Sequence, residues 1–299
     1  MTYTPQDARL SAHNETQWDM LNNFFAHFTT QDWMRPHGRE WTFGDVPYHM
    51  MYFQSLAVES IRKGQADTEH QEIRTMRELN QFNQSRFAAR PSNQTGEQSF
   101  ALFRRSQETL RTTLRALGGD QPDFDHLVWY GVLRARGWHT TRFMMEYTYW
   151  HNWLHFSEAT LRYNNQLPPI SAEMMHHALT LHMDFTAGAL NHRAAADRFV
   201  WVLTLTGSGG GTWTITVDKG EGHAHEGEPD SGTPDLYMTR PIDVHLKAAF
   251  NMMNPLRVSM FTRITGAARK RALLAKLFTP APDEVWTPID ESEVEPMQG

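Results

Sequence analysis

One segment of this 299-residue chain reads His151-Asn152-Trp153-Leu154-His155. On a helix, residues at i and i+4 lie one turn apart on the same face, a spacing that lets two imidazoles hold one metal ion. In a chain with 16 histidines such a pair is a weak signal by itself. His49 offers a third ligand, because it falls on the apolar side of another helical pattern marked by Val46, Met50, Phe53 and Ala57. An imidazole turned into a protein interior needs either a hydrogen-bond partner or a metal. Three neutral imidazoles on one divalent ion leave coordination positions open, as catalytic sites do. The chain has no cysteine, which removes thiolate metal sites, disulfides and a cysteine nucleophile. Metal ligands must therefore be His, Asp or Glu, and any thiol chemistry needs a thiol from outside.

The elements that must position these residues are helices. A first helix is expected from about Thr16 to Thr30, where Trp18, Leu21, Phe24, Phe25 and Phe28 recur at three- and four-residue steps. A second starts near Asp45, tolerates Pro47 in its first turn, and runs to about Lys63. After a polar connector containing Asn80, Asn83, Pro91 and Ser92, a third spans about Gly96 to Leu117 and stops at Gly118-Gly119. The fourth, about Thr140 to Tyr163, carries the His pair and ends before Pro168-Pro169. Four such helices predict an all-α up-and-down bundle over residues 1–168.

Beyond Pro169 the texture changes. A connecting helix is expected at 169–194, then a β-hairpin of Phe199–Leu205 and Thr212–Val217 around Gly207–Gly211. No Gly-Lys-Ser/Thr follows those glycines, so they are a turn and not a phosphate loop. Asp235–Thr239 and Arg257–Ile264 read as further strands and Ala267–Phe278 as a closing helix. Together they make an α+β domain over 195–285, followed by an acidic tail at 286–299.

At these residues the chain resembles a known family. Trp41-Thr42-Phe43-Gly44-Asp45-Val46-Pro47-Tyr48-His49 is similar to the segment that leads into helix two of DinB-like metal-binding bundles, and His151/His155 stand where that family places its other ligands. The resemblance covers about residues 15–165 and extends to the N-terminal domain of thiol-dependent isomerases of the mycothiol-dependent maleylpyruvate isomerase type. In that subgroup the helix-four pair can be Glu and His, whereas this chain has the all-His version, nearer the general DinB and bacillithiol-transferase pattern. The hairpin, Asn254-Pro255-Leu256-Arg257, Ile264-Thr265-Gly266 and the closing helix resemble a sterol-carrier-type domain. A DinB-like bundle followed by a carrier-like domain is the arrangement of maleylpyruvate isomerases.

The resemblance implies an enzyme in which a low-molecular-weight thiol (mycothiol, bacillithiol or glutathione), activated at zinc or nickel, attacks a small electrophile, as a transferase or an isomerase. A carboxylate on that substrate would suit the bidentate fork of Arg240 or Arg257, and Glu158 would orient a ligand imidazole. Two other classes stay open: a lipid or apolar-ligand carrier, and a metal-dependent hydrolase using bound hydroxide.

Charge and hydropathy narrow the partners. A net charge of −6 and an isoelectric point near 6.2 argue against a nucleic-acid-binding surface, and Arg269-Lys270-Arg271 reads as one solvated helix face. His223 and His225 fall in a Gly/Glu-rich stretch expected to be a loop, while His176, His177 and His182 are surface or packing residues. No apolar run is long enough to span a membrane and no export signal opens the chain. A cytoplasmic monomer or homodimer is the expectation.

Overall fold

The computed structural model describes residues 3–38, 41–63, 73, 75–130, 137–189, 198–218, 221–229 and 231–277. The chain divides into two compact units, residues 1–159 and 160–281, with the boundary inside the helix that carries the His pair.

The first unit holds helices α1 (Pro5–Ala26), α2 (Thr30–Met34), α3 (Asp45–Lys63), α4 (Met76–Ala89) and α5 (Gly96–Gly118), and most of α6 (Thr141–Asn164). Helix α1 starts eleven residues earlier than the apolar periodicity suggested. Its first turns are polar, but Thr4 and Asp7 form a reciprocal capping box and Pro5 occupies the first turn. Capping boxes also open α2 (Thr29 with Asp32) and α5 (Thr95 with Gln98); α5 buries Phe103, Leu110 and Leu114 and packs along α3. The side-chain amide of Asn14 on α1 donates to the Met145 carbonyl of α6.

Two expectations for this unit need correction. The stretch read as a polar connector contains α4, capped by Thr75. Its Asn and Gln residues hide a short stripe of Leu79, Phe82 and Phe87, and Arg86 lies over the rings of Tyr52 and Phe82. The unit is also not all-α. Strands β1 (Leu127–Tyr130) and β2 (Gly137–Thr140) form an antiparallel pair ahead of α6, with Val128, Trp129 and Tyr130 buried. Strands of four residues are too short to announce themselves by alternation.

The second unit is α+β. Helix α7 (Ala172–Ala189) packs on a five-stranded sheet ordered β5-β4-β3-β6-β7. The hairpin falls where it was expected, as β3 (Phe199–Thr206) and β4 (Gly211–Asp218) in register from Phe199 opposite Val217 to Leu205 opposite Gly211. Next come β5 (Glu221–Glu226), β6 (Leu236–Pro241), α8 (Ile242–Ala249), α9 (Pro255–Met260), β7 (Arg263–Gly266) and α10 (Ala268–Leu277). His223 and His225 therefore lie on an exposed edge strand and not in a loop. The expected strand at Arg257–Ile264 is instead helix α9 and only the start of β7. Asn254 caps the helix by accepting the Leu256 N–H at 2.9 Å, and Pro255 fits its first position.

One turn glycine is tested easily. Gly209 has φ +78°, and a Cβ there would lie 2.5 Å from the Ala172 carbonyl oxygen and 2.6 Å from Met175 Cβ. Gly209→Ala is expected to destabilise the protein by about 2 kcal/mol or more, through backbone strain and the clash with the start of α7. A drop in the urea midpoint at unchanged slope would show it.

Candidate metal centre

His49 is held on α3, and His151 and His155 lie one turn apart on α6. Their ligand-capable nitrogens all fall within 4.8 Å of one another. His49 Nε2 and His151 Nε2 are 3.2 Å apart, and the ring centroids are separated by 4.6 to 5.1 Å. His49 and His151 are buried, and His155 is half-buried.

The lead-in to α3 shapes this site. Asp45 Oδ2 accepts the Thr42 backbone N–H at 2.6 Å and its hydroxyl at 2.8 Å, which closes the turn before the helix. A backbone bridge between Pro36 and Thr42 holds the same loop from the other side. Trp41 is thereby laid over the imidazoles, 4.9 Å from the His49 ring and stacked 5.9 Å from that of His155. Phe53, one turn beyond His49, packs 4.4 Å from His151, and Phe87 of α4 packs against Trp41. Aromatic rings thus line the cluster on several sides.

Burial sets the charge state. It pulls His49 and His151 well below the ordinary histidine range, helped by the neighbouring imidazoles, and pushes His155 down to about 4. All three are neutral near pH 7, so each keeps a nitrogen lone pair to donate. The cluster contains no carboxylate, and His155 Nδ1 is buried with no hydrogen-bond partner among the described residues. Two nitrogens on one zinc ion, each about 2.0–2.1 Å from it, stand roughly 3.3 Å apart at a tetrahedral angle, close to the observed His49–His151 spacing. An all-imidazole set of this kind fits a borderline divalent ion such as zinc or nickel.

A narrow cavity adjoins His151, lined by Gln54, Tyr130, Tyr147 and Asn152 among others. Asn152 is fully buried and its amide has no partner among the described residues. Nothing in the sequence singles out Asn152, because its burial follows from the packing of α6.

The two arginines named from sequence sit in the second unit. Arg257 is exposed on α9. Arg240, near the end of β6, is half-buried and donates from Nη2 to His245 Nδ1 at 2.6 Å. Burial pushes its guanidinium down to about 10. The His245 ring lies 5.5 Å from that of His182, so His182 is a buried packing residue. Glu158 is half-buried on α6, three residues past His155.

In the largely helical first unit, then, three neutral imidazoles meet, two of them buried and one half-buried. Residues 15–153 match the family described as Mycothiol maleylpyruvate isomerase N-terminal domain. Among solved structures, the chain is similar to the mycothiol-dependent maleylpyruvate isomerase at 11% identity and a TM-score of 0.52, over 83% of this chain and 91% of that one. It also matches sterol carrier protein 2 from Yarrowia lipolytica at 17% identity and a TM-score of 0.25, over 34% of this chain and 80% of that one. A stereoselective inverting sec-alkylsulfatase from Pseudomonas sp. matches at 12% identity and a TM-score of 0.26, over 69% and 30%. No curated protein sequence matches. Among the described residues no helix is long and apolar enough to cross a membrane.

Proposed function

We propose that the protein is a divalent-metal-dependent enzyme that uses a low-molecular-weight thiol against a small electrophilic substrate, as an S-transferase or a cis–trans isomerase. The observation that carries this reading is the convergence of His49, His151 and His155 as three neutral imidazoles, the first two buried and the third half-buried. The match of residues 15–153 to a domain of mycothiol-dependent isomerases supports it. In this reading the three histidines are the metal ligands, and the ion supplies open positions at which an external thiol or water loses its proton more readily.

The chain's own residues then have defined tasks. Trp41, Phe53 and Phe87 line the imidazole cluster; since burial by itself disfavours a thiolate, only the charge of a bound ion would favour it over the thiol. In the reaction the thiol sulfur adds to one carbon of an activated C=C bond, whose π pair moves to the neighbouring carbon and takes up the thiol's proton if the adduct persists as a thioether. Otherwise rotation about the resulting single bond is followed by return of that pair, which re-forms the double bond as its isomer and expels the thiolate to recover its proton. Arg240 is the better of the two arginines for a substrate carboxylate, because its guanidinium is half-buried and has no carboxylate partner among the described residues. We further propose a domain plan of a bundle at 1–168, a connecting helix at 169–194 that packs on the sheet following it, a sterol-carrier-like domain at 195–285 and an acidic tail at 286–299, which lies outside the described residues. The setting is the cytoplasm, where small thiols stay reduced.

Calorimetric titration of the zinc- or nickel-loaded protein with mycothiol, bacillithiol and glutathione tests this. One of them is expected to bind stoichiometrically to the loaded protein and at least tenfold more weakly to the metal-stripped one. Metal-dependent ester or amide hydrolysis with no thiol effect would replace the proposal with a hydrolase. Lipid that co-purifies, with neither metal nor thiol bound, would replace it with a carrier.

A further inference from the structure

The segment between Val244 and Pro282 contains Lys247, Arg257, Arg263, Arg269, Lys270, Arg271 and Lys276 and not one Asp or Glu, in a chain whose net charge is −6. Within it stands helix α9, which buries none of its residues. Leu256 is 78% exposed and Met260 80%, one turn apart on one helix face, and Phe261 beside them is 48% exposed. Scattered exposed apolar residues are ordinary, but a contiguous group on a helix with no buried side is not, since a folded helix normally turns its apolar stripe inward.

Exposed cations flank the apolar residues in the sequence. Arg257 and Arg263 are exposed, and among the described residues neither makes an ion pair. Arg269 and Arg271 are exposed on α10, whereas Lys270 is engaged by Asp235 at 2.9 Å and does not count. We propose that the corner of α9 and β7 docks this protein on an anionic lipid surface, with Leu256, Met260 and Phe261 entering the headgroup boundary and Arg257 and Arg263 meeting lipid phosphates.

The chemistry discriminates among occupants. Two copies of a face this basic repel one another, which disfavours self-pairing. A nucleic acid would reward cations but leave aliphatic Leu256 and Met260 in water, whereas a bilayer rewards both sets. The contact is peripheral, because a six-residue helix reaches only the interface.

Co-sedimentation of the whole protein with vesicles tests the proposal. Binding to vesicles of 70% phosphatidylcholine and 30% phosphatidylglycerol is expected to exceed binding to pure phosphatidylcholine by about tenfold or more, and to weaken as salt rises. Arg257→Gln/Arg263→Gln is expected to weaken the anionic-vesicle affinity about thirtyfold, at about 1 kcal/mol per cation. Leu256→Ser/Met260→Ser is expected to reduce binding to both compositions. All four side chains are solvent-exposed, so circular dichroism and melting should match the parent. The idea fails if the protein ignores anionic vesicles, or binds them equally after both double substitutions. It also fails if light scattering shows a dimer that Leu256→Ser/Met260→Ser converts to monomer, since the face would then belong to a second copy.

Discussion

Protein isolated without chelators is expected to hold about one divalent ion per chain, and His151→Ala less than about a tenth of that. The reason lies in the charge state and packing of the three rings. Each is neutral, so no proton must leave before coordination, and His49 and His151 already face one another at 3.2 Å. Loss of one imidazole leaves a two-ligand site, and even substitutions one layer further out weaken metal binding by about 10–100-fold. The ion should also stabilise the fold, because it binds the folded chain in preference to the unfolded one. At a thousandfold excess over the dissociation constant that linkage is worth about 4 kcal/mol, or a shift of roughly 10 °C in the melting temperature for a unit of this size. Chelator should therefore lower the melting temperature of the parent and leave that of His151→Ala unchanged. Elemental analysis showing full metal in His151→Ala, or melting curves indifferent to chelator in the parent, would refute the assignment.

The convergence of the three histidines was legible because its two signals are local. The i, i+4 spacing of His151 and His155 needs only a helix, and Trp150, Trp153 and Phe156 make a helix pattern hard to miss. His49 was recognisable from its place among Val46, Met50 and Phe53. What could not be read was the enclosure. Phe87 reaches Trp41 from α4, a helix whose sequence is dominated by Asn, Gln and Arg and whose stability comes from ring and guanidinium contacts made only after folding. Propensity and periodicity carry no information about such contacts.

The same logic separates the hits from the misses in the sheet. Strand β3 buries most of its residues and β4 half, and the pair carries Trp, Val, Leu and Ile, so their composition spoke for them. Strand β5 is an exposed edge whose Glu and His residues earn their conformation from hydrogen bonds to β4 and not from an apolar face. Helix α9 is the opposite error. Val258, Met260, Thr262 and Ile264 alternate as a strand would, while Asn254-Pro255 marks a helix start. A pattern that implies burial misleads most where the apolar residues stay outside.

Arg142→Ala is expected to cost about 2–3 kcal/mol near pH 7, and the cost should shrink as the pH falls. Asp7 is the third residue of α1 and is 1% exposed. Its carboxylate accepts the Thr4 N–H at 2.8 Å and the Thr4 hydroxyl at 2.6 Å, and Arg142 of α6 donates to it from Nε at 2.6 Å and Nη2 at 3.2 Å. One ion pair thus completes a helix cap and ties α1 to α6. Burial alone would raise the Asp7 pKa, but the hydrogen bonds from Arg142 and Thr4 outweigh it and hold the group at about 2. A folded value below the unfolded 3.8 means the charged form is the stabilised one. The contribution is complete above about pH 4 and disappears as the pH falls from there towards 2. The shift corresponds to about 2 kcal/mol after allowance for the roughly one-third exposure of Arg142. Without the guanidinium, burial dominates. The carboxylate then gains from protonation, so acid removes a penalty from the variant while it removes a stabilising contact from the parent. Urea denaturation of both proteins at pH 7, 4 and 2.5 should show the two stabilities converging. A gap of constant size would mean that Arg142 acts through the packing of its aliphatic stem and that its charge contributes nothing.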